Sequence, residues 1–219
     1  CGAGLMNLPI CLISVGIGLG YADAGPTHYT TEDFACFRSI VGSSIYTPAD
    51  SISTKLIAKK LLEKPKFSYI RLDRDVLPKI SPEITNVDLD KGFKIFGNIN
   101  NDKIALISHG RMLHKCLEIY NNKLNKFVCV DMLRSKPFPK DLPKKISSCK
   151  GLVVVDEQSP SGNLSSCVFE GFSEQSYFPK IISKSLPESY VFENGGREYL
   201  LNKFGLSNDD IIKACNKIV

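Results

Sequence analysis

Residues 9–38 read PICLISVGIGLGYADAGPTHYTTEDFACFR. The first seven form an apolar run with β-branched Ile and Val, the composition of a strand buried in a parallel sheet. Gly16, Gly18 and Gly20 break the run, and Gly25-Pro26 sets a conformationally fixed turn. Thr30, Thr31 and Asp33 then offer hydroxyl and carboxylate oxygens to the free amides of a helix carrying Phe34, Phe37 and Ile40. Strand, loop and helix in this order are the repeating unit of a parallel sheet covered by helices. His28 stands at the loop-to-helix junction, where rigid neighbours fix a side chain and the loop leaves it accessible. A histidine there either faces a ligand or only packs and bonds a backbone carbonyl, and its position alone leaves both open.

Working outward, the alternation continues. A strand at 43–47 leads through the cap TPAD to a helix at 50–63, whose Leu56, Ile57, Leu61 and Leu62 make one apolar stripe; a strand at 67–73 follows. Residues 74–100 hold Pro78, Pro82, Gly92 and Gly97 with no sustained period, and read as a linker. Beyond it, strands at 103–108, 126–132, 151–156 and 180–184 alternate with helices at 111–121, 141–147, 163–173 and 207–218. Ser207 caps the last helix, with Asp209 and Asp210 in its first turn. The expected fold class is α/β, with two parallel-sheet three-layer units at 1–85 and 86–219; the first is too short to be complete and the second reads as whole.

Composition narrows the function. At 43% hydrophobic, 219 residues can bury proper cores. The net charge of +5 comes from lysines scattered along the chain, and no basic tract is interleaved with aromatics, so nucleic acid is not an expected partner. The eight cysteines include no Cys-x-x-Cys pair, and Cys11 and Cys129 sit in apolar strand-like runs; reduced thiols in a cytoplasmic protein are expected. No His/Cys or carboxylate cluster has metal-ligand spacing, so no metal site is expected. Residues 1–22 carry no charge and no basic flank precedes them, while their glycines and Pro9 interrupt the stretch. A membrane span or a lipid-bearing Cys1 is therefore a weaker reading than a buried strand, and no membrane partner is expected. With no initiator Met and a strand almost at once, the chain reads as a piece of something longer.

Other motifs yield little. GIGLG at 16–20 follows a strand, but its spacing and the loop running on to Pro26 do not fit a dinucleotide fingerprint. SPSGNLSS at 159–166 lacks the Gly-Lys-Ser/Thr of a phosphate-cradling loop and reads as a strand-to-helix connection. His109 and His114 read as structural or solvated.

A family resemblance adds to these readings. GIGLGYADAGPTHYTTEDFACFRSI (16–40), SSIYTPADS (43–51) and FSYIRLDRDVLP (67–78) resemble the second half of the pyrimidine-binding domain of transketolase-family enzymes, which depend on thiamine diphosphate. SHG (108–110), SKPFPKD (135–141) and GLVVVDEQSPSGNLSS (151–166) resemble more loosely the family's C-terminal domain. The resemblance implies that His28 is the catalytic histidine, reaching the cofactor's reactive carbon and the ketose hydroxyls. It implies that Arg74 holds a sugar phosphate, that Asp23 contributes to substrate binding, and that Gly25, Pro26 and Thr27 shape the cofactor pocket.

Two departures qualify those expectations. The family's Asp directly before the Gly-Pro-Thr-His segment is replaced by Ala24, with Asp23 one step earlier. The glutamate that activates the cofactor, and the Gly-Asp-Gly motif that binds Mg2+ and the diphosphate, belong to family regions absent from these residues. The resemblance therefore implies part of an enzyme that moves a two-carbon ketol unit between sugar phosphates, inactive in isolation. The missing N-terminal portion or subunit and a homodimer would be its partners. Alternatives are a noncatalytic dimerisation or regulatory module of the same fold, and a related carboligase such as a deoxyxylulose-phosphate synthase.

Overall fold

The computed structural model describes residues 2–173 and 175–218. In chain order its strands are β1 (Cys11–Val15), β2 (Ser44–Tyr46), β3 (Ser68–Leu72), β4 (Lys94–Phe96), β5 (Ile104–Ser108), β6 (Phe127–Asp131), β7 (Arg134–Lys136), β8 (Gly151–Val155) and β9 (Ile181–Lys184). Its helices are α1 (Gly2–Leu5), α2 (Asp33–Arg38), α3 (Ser51–Glu63), α4 (Asn86–Lys91), α5 (Gly110–Asn122), α6 (Leu142–Ile146), α7 (Leu164–Phe172), α8 (Arg197–Lys203) and α9 (Asn208–Asn216). Two sheets result, ordered β1-β3-β2-β7 and β4-β6-β5-β8-β9. All pairings are parallel except those of β7 with β2 and β4 with β6. The α/β architecture is the expected one, with an antiparallel strand added at one edge of each sheet.

The central strands of the second sheet are buried along their whole length, so their side chains alternate between two cores. Ile104, Leu106, Cys129, Val153 and Val155 pack with Met112 and Leu113 of α5, Leu200 of α8 and Ile211 of α9. Ala105, Ile107, Val128, Val130, Leu152 and Val154 face the other way, against Leu142 of α6 and Val168 of α7. That second core also holds Phe34, Ile45 and Tyr69 from the first half of the chain, so the two sheets share packing. Each of the large side chains stabilises the fold by roughly 1.5–3 kcal/mol of apolar burial.

Several local expectations are corrected. The 74–100 stretch is not a bare linker. It contains α4, whose cap Thr85 and third residue Asp88 form a reciprocal capping box, and then β4. β7 forms where only a proline-rich turn was expected, and α8 follows Gly195-Gly196 in a region with no expected element. β1 is not buried: Leu12, Ile13 and Val15 are 42%, 61% and 49% exposed at the sheet's edge, and Cys11 is exposed. At the start of α2, Glu32 occupies the cap position with no side-chain bond to the helix amides. Asp33 instead turns inward to Arg71 and Tyr69, because a buried guanidinium binds its carboxylate more strongly than a helix amide does.

Burial pushes the Cys149 thiol up to about 11 and those of Cys167 and Cys215 up to about 12, which leaves them protonated and unreactive. Among the described residues, no helix is long and apolar enough to cross a membrane.

Candidate active-site loop

The loop bearing His28 is closed at its base by a pair of backbone bonds: Gly18 N–H donates to Thr30 O at 3.0 Å, and Thr30 N–H to Gly18 O at 2.9 Å. Between them the chain turns twice, with Ala24 N–H donating to Tyr21 O and His28 N–H to Gly25 O. Leu19 and Ala22 point down into the core that α5, α8 and α9 cover, so the loop is seated on the second sheet although it emerges from the first. Gly18 makes that seating feasible. Its φ is +58°, and a Cβ there would lie 2.6 Å from the Glu157 Cβ. Tyr29 anchors the far side by donating its hydroxyl to Glu193 O at 2.6 Å.

On top of this base the residues singled out in the sequence come together. His28 is exposed, its Nδ1 lying 3.0 Å from Thr27 Oγ1. Nε2 has no partner among the described residues, and an imidazole nitrogen in that state can donate or accept a proton. The Tyr21 ring sits 6.0 Å from the His28 ring, centroid to centroid, and the Arg74 guanidinium lies 4.8 Å from the Tyr21 centroid. Arg74 Nη1 also donates to Asp23 Oδ1 at 2.7 Å. Asp23's own backbone N–H and then Arg74 hold its carboxyl below the usual range. The face thus presents an imidazole, a hydroxyl and a guanidinium to one open side.

Beneath it lie charges that no sequence pattern indicated. Arg197 grips Glu157 through two bonds of 2.9 Å and donates to Asp73 Oδ2 at 2.7 Å and to Ile17 O at 3.3 Å. Glu157 Oε2 in turn accepts from the Leu19 N–H at 3.1 Å. Asp73 also binds Arg111, whose Nη2 reaches Asp75 Oδ2 at 2.5 Å. Burial alone would raise the Asp73 pKa, but Arg197 and Arg111 outweigh it and hold the carboxyl low.

A second buried set runs from Asp33 through Arg71 to His109 and Asp156. His109 Nε2 is 3.1 Å from Asp156 Oδ1 and 3.3 Å from Arg71 Nη1. Asp156 Oδ2 accepts the Leu164 N–H at 3.0 Å. Burial opposes the charge on Asp156, yet His109 and Arg71 prevail and hold its pKa low. His109 is therefore buried within this set, and its Nδ1 has no partner among the described residues. His114 also has a structural contact, Nε2 lying 2.7 Å from Ala49 O. The sequence did carry one signal for this second set: Arg71 interrupts the otherwise apolar stretch FSYIRL, a position that forces a buried charge to find a partner.

Among the described residues there is no group of three or more His, Cys, Asp or Glu side chains arranged to hold a metal ion.

Comparison with known proteins places the chain in a family. Residues 1–79 match the family described as transketolase, pyrimidine binding domain, and residues 98–211 match transketolase, C-terminal domain. The chain is 26% identical to Transketolase-like protein 1 of Bos taurus over 99% of its own length and 36% of that protein's. It is 28% identical to 1-deoxy-D-xylulose-5-phosphate synthase of Nitrosomonas europaea over 96% of its own length, spanning 34% of that protein. It is 24% identical to one of the subunits of the apulose-4-phosphate transketolase of Phocaeicola vulgatus over 95% of its own length, spanning 66% of that polypeptide. The solved structure of a split gene transketolase, an inactive beta4 tetramer, superposes with a TM-score of 0.78 at 26% identity, covering 98% of this chain and 67% of that one. The chain thus spans about a third of the first two relatives and about two thirds of the third. It belongs to the transketolase family.

Proposed function

We propose that this chain carries the substrate-facing part of a thiamine-diphosphate site in an enzyme that transfers a two-carbon ketol unit between sugar phosphates. The observation that carries this reading is the single open face shared by His28, Thr27 and the Asp23–Arg74 pair. His28 is the catalytic group: its free ring nitrogen donates to or accepts from the hydroxyl of the sugar at the reacting carbon. Arg74 holds the terminal phosphate through its fork of donors, and Asp23 orients that fork. Gly25, Pro26 and Thr27 form a corner with little side chain to obstruct a planar ring, Gly25 adopting a φ of +83°.

Thiamine diphosphate, when bound, supplies an electron sink for the carbanion formed in ketol transfer. The donor set of the loop fits its reacting end, while the Mg2+ and diphosphate would be held by a domain that these residues do not include. The exposed apolar edge of β1, with Leu12, Ile13 and Val15 uncovered, supports a partner that adds to this sheet, either a further portion of the protein or a separate polypeptide. A second copy completing a homodimer is the further partner proposed.

A noncatalytic module of the same fold is the second reading, favoured by the inactive state of the split transketolase assembly that it superposes on. A carboligase accepting pyruvate is the third, favoured by similarity to the deoxyxylulose-phosphate synthase. Calorimetric titration of thiamine diphosphate with Mg2+ tests the proposal. The chain alone should show no saturable binding, and the chain combined with its complementary portion should bind one cofactor per site. Failure of the combined protein to bind would establish the noncatalytic reading, and turnover of pyruvate but not of ketose phosphates would establish the carboligase.

A further inference from the structure

At the C-terminal end of α2, a cavity of about 560 Å³ opens between Arg38, residues 135–140 and α7. Among the described residues its lining includes the cations Arg38, Lys136 and Lys140 and the carboxylate of Glu170, a described net charge of +2. Arg38 Nη1 donates to Gly162 O at 2.9 Å and Nη2 pairs with Glu170, leaving other guanidinium donors free. The Lys136 ammonium bonds the carbonyls of Arg38 and Ile40, which uses two of its three hydrogens. Burial, together with the nearby Arg38, lowers its pKa, as expected of a cation short of counter-charge.

Two more features belong to a binding cleft rather than to a stray basic patch. The Ser135 hydroxyl, on a residue 1% exposed, has no hydrogen-bond partner among the described residues. Phe138 lies against α7 at Gly171, where a Cβ would come within 2.1 Å of its ring, and so gives the cleft an apolar wall.

We propose that this cleft binds a phosphate monoester. A dianion matches the net charge of the described lining, and its tetrahedral oxygens can accept from a guanidinium and two ammonium groups at once. A carboxylate offers one charge and two oxygens, and leaves the cleft half-neutralised. The organic group of the ester lies along Phe138. This site is separate from the Arg74 face and does not depend on the activity proposed there.

The test is calorimetric titration of the chain with glycerol 3-phosphate, inorganic phosphate and glycerol, with backbone amide NMR shifts to locate the contacts. Both phosphates should saturate one shared site with shifts at residues 135–140 and in α7, glycerol should not bind, and the ester should bind tighter than the free ion. Lys140 is exposed, so Lys140→Gln should keep the fold and weaken binding about 5-fold; Lys136→Met with Lys140→Gln should weaken it about 30-fold. Lys145→Gln, outside the cleft, and Arg74→Ala, on the other face, should each leave the affinity unchanged. No saturation below about 10 mM, a loss of affinity with Arg74→Ala, or equal weakening by Lys145→Gln would overturn the assignment. The single Lys140 variant decides the matter if the double variant does not fold.

Discussion

Asp33 accepts from Arg71 twice, at 2.7 Å from Nε and 3.0 Å from Nη2, and so ties the start of α2 to the end of β3. The Arg71 side chain is 1% exposed, and its guanidinium also lies 5.0 Å over the Phe34 ring. Tyr69 adds its hydroxyl to Asp33 at 2.8 Å, and burial and then the neighbouring carboxylate push that phenol's pKa up. The helix that follows the His28 loop is therefore held by a buried ion pair rather than by a cap. Loop position and core charge are one problem in this fold.

Removing one partner of that pair leaves an uncompensated buried charge. Arg71→Met should lower stability in urea denaturation by about 3–5 kcal/mol, and Asp33→Asn by a similar amount. The double variant should cost less than the sum of the two. Additive losses would show that the two groups do not depend on each other.

Asp131 is fully buried, and neither carboxyl oxygen has a partner among the described residues. Burial, and then the nearby Asp50, push its pKa well above the usual range, so folding favours its neutral form. A carboxyl raised on folding contributes stability below its unfolded pKa of about 3.9 and loses it as pH rises toward the folded value. Asp131→Asn should therefore match wild type near pH 4 and become progressively the more stable of the two as pH rises. A pH-independent difference in denaturation midpoint would contradict this.

Asp73 has the opposite sign. Its lowered pKa contributes stability above about pH 4, and that contribution is lost as pH falls through the folded value. Asp73→Asn should be less stable than wild type at pH 7, and the difference should close as pH falls through the lowered folded value. Thermal denaturation across that range reads the closure directly, and a gap that persisted in acid would remove Asp73 from the ion network's energetics.

On the proposed activity, Arg74→Ala in the assembled protein should raise KM about 10-fold or more for phosphorylated sugars and far less for the unphosphorylated ones. Equal changes for both would remove the phosphate contact from Arg74.

Much of the fold was legible because its main signal is local. The strands at 104–108, 127–131 and 151–155 are nearly unbroken apolar runs, and Asp50 and Ser207 mark their helices with caps whose side chains accept from the third residue. β4 and β7 were not legible: each is three residues long and exists through antiparallel pairing with a distant partner. The exposure of β1 was invisible for a related reason, since an apolar strand reads the same whether its neighbour is present or not. The gathering of Asp23, Thr27, His28 and Arg74 followed from the family resemblance. The Arg197–Glu157–Asp73 network, spanning up to 124 residues of sequence, followed from neither pattern nor resemblance.

The most direct measurement is turnover of ketose phosphate by the assembled protein carrying His28→Ala, with cofactor affinity recorded alongside. An exposed loop histidine carries little packing, so the fold and thiamine diphosphate binding should be retained while kcat falls by about 100-fold. Unchanged turnover with the cofactor still bound would contradict the role of His28 and the reading of this face.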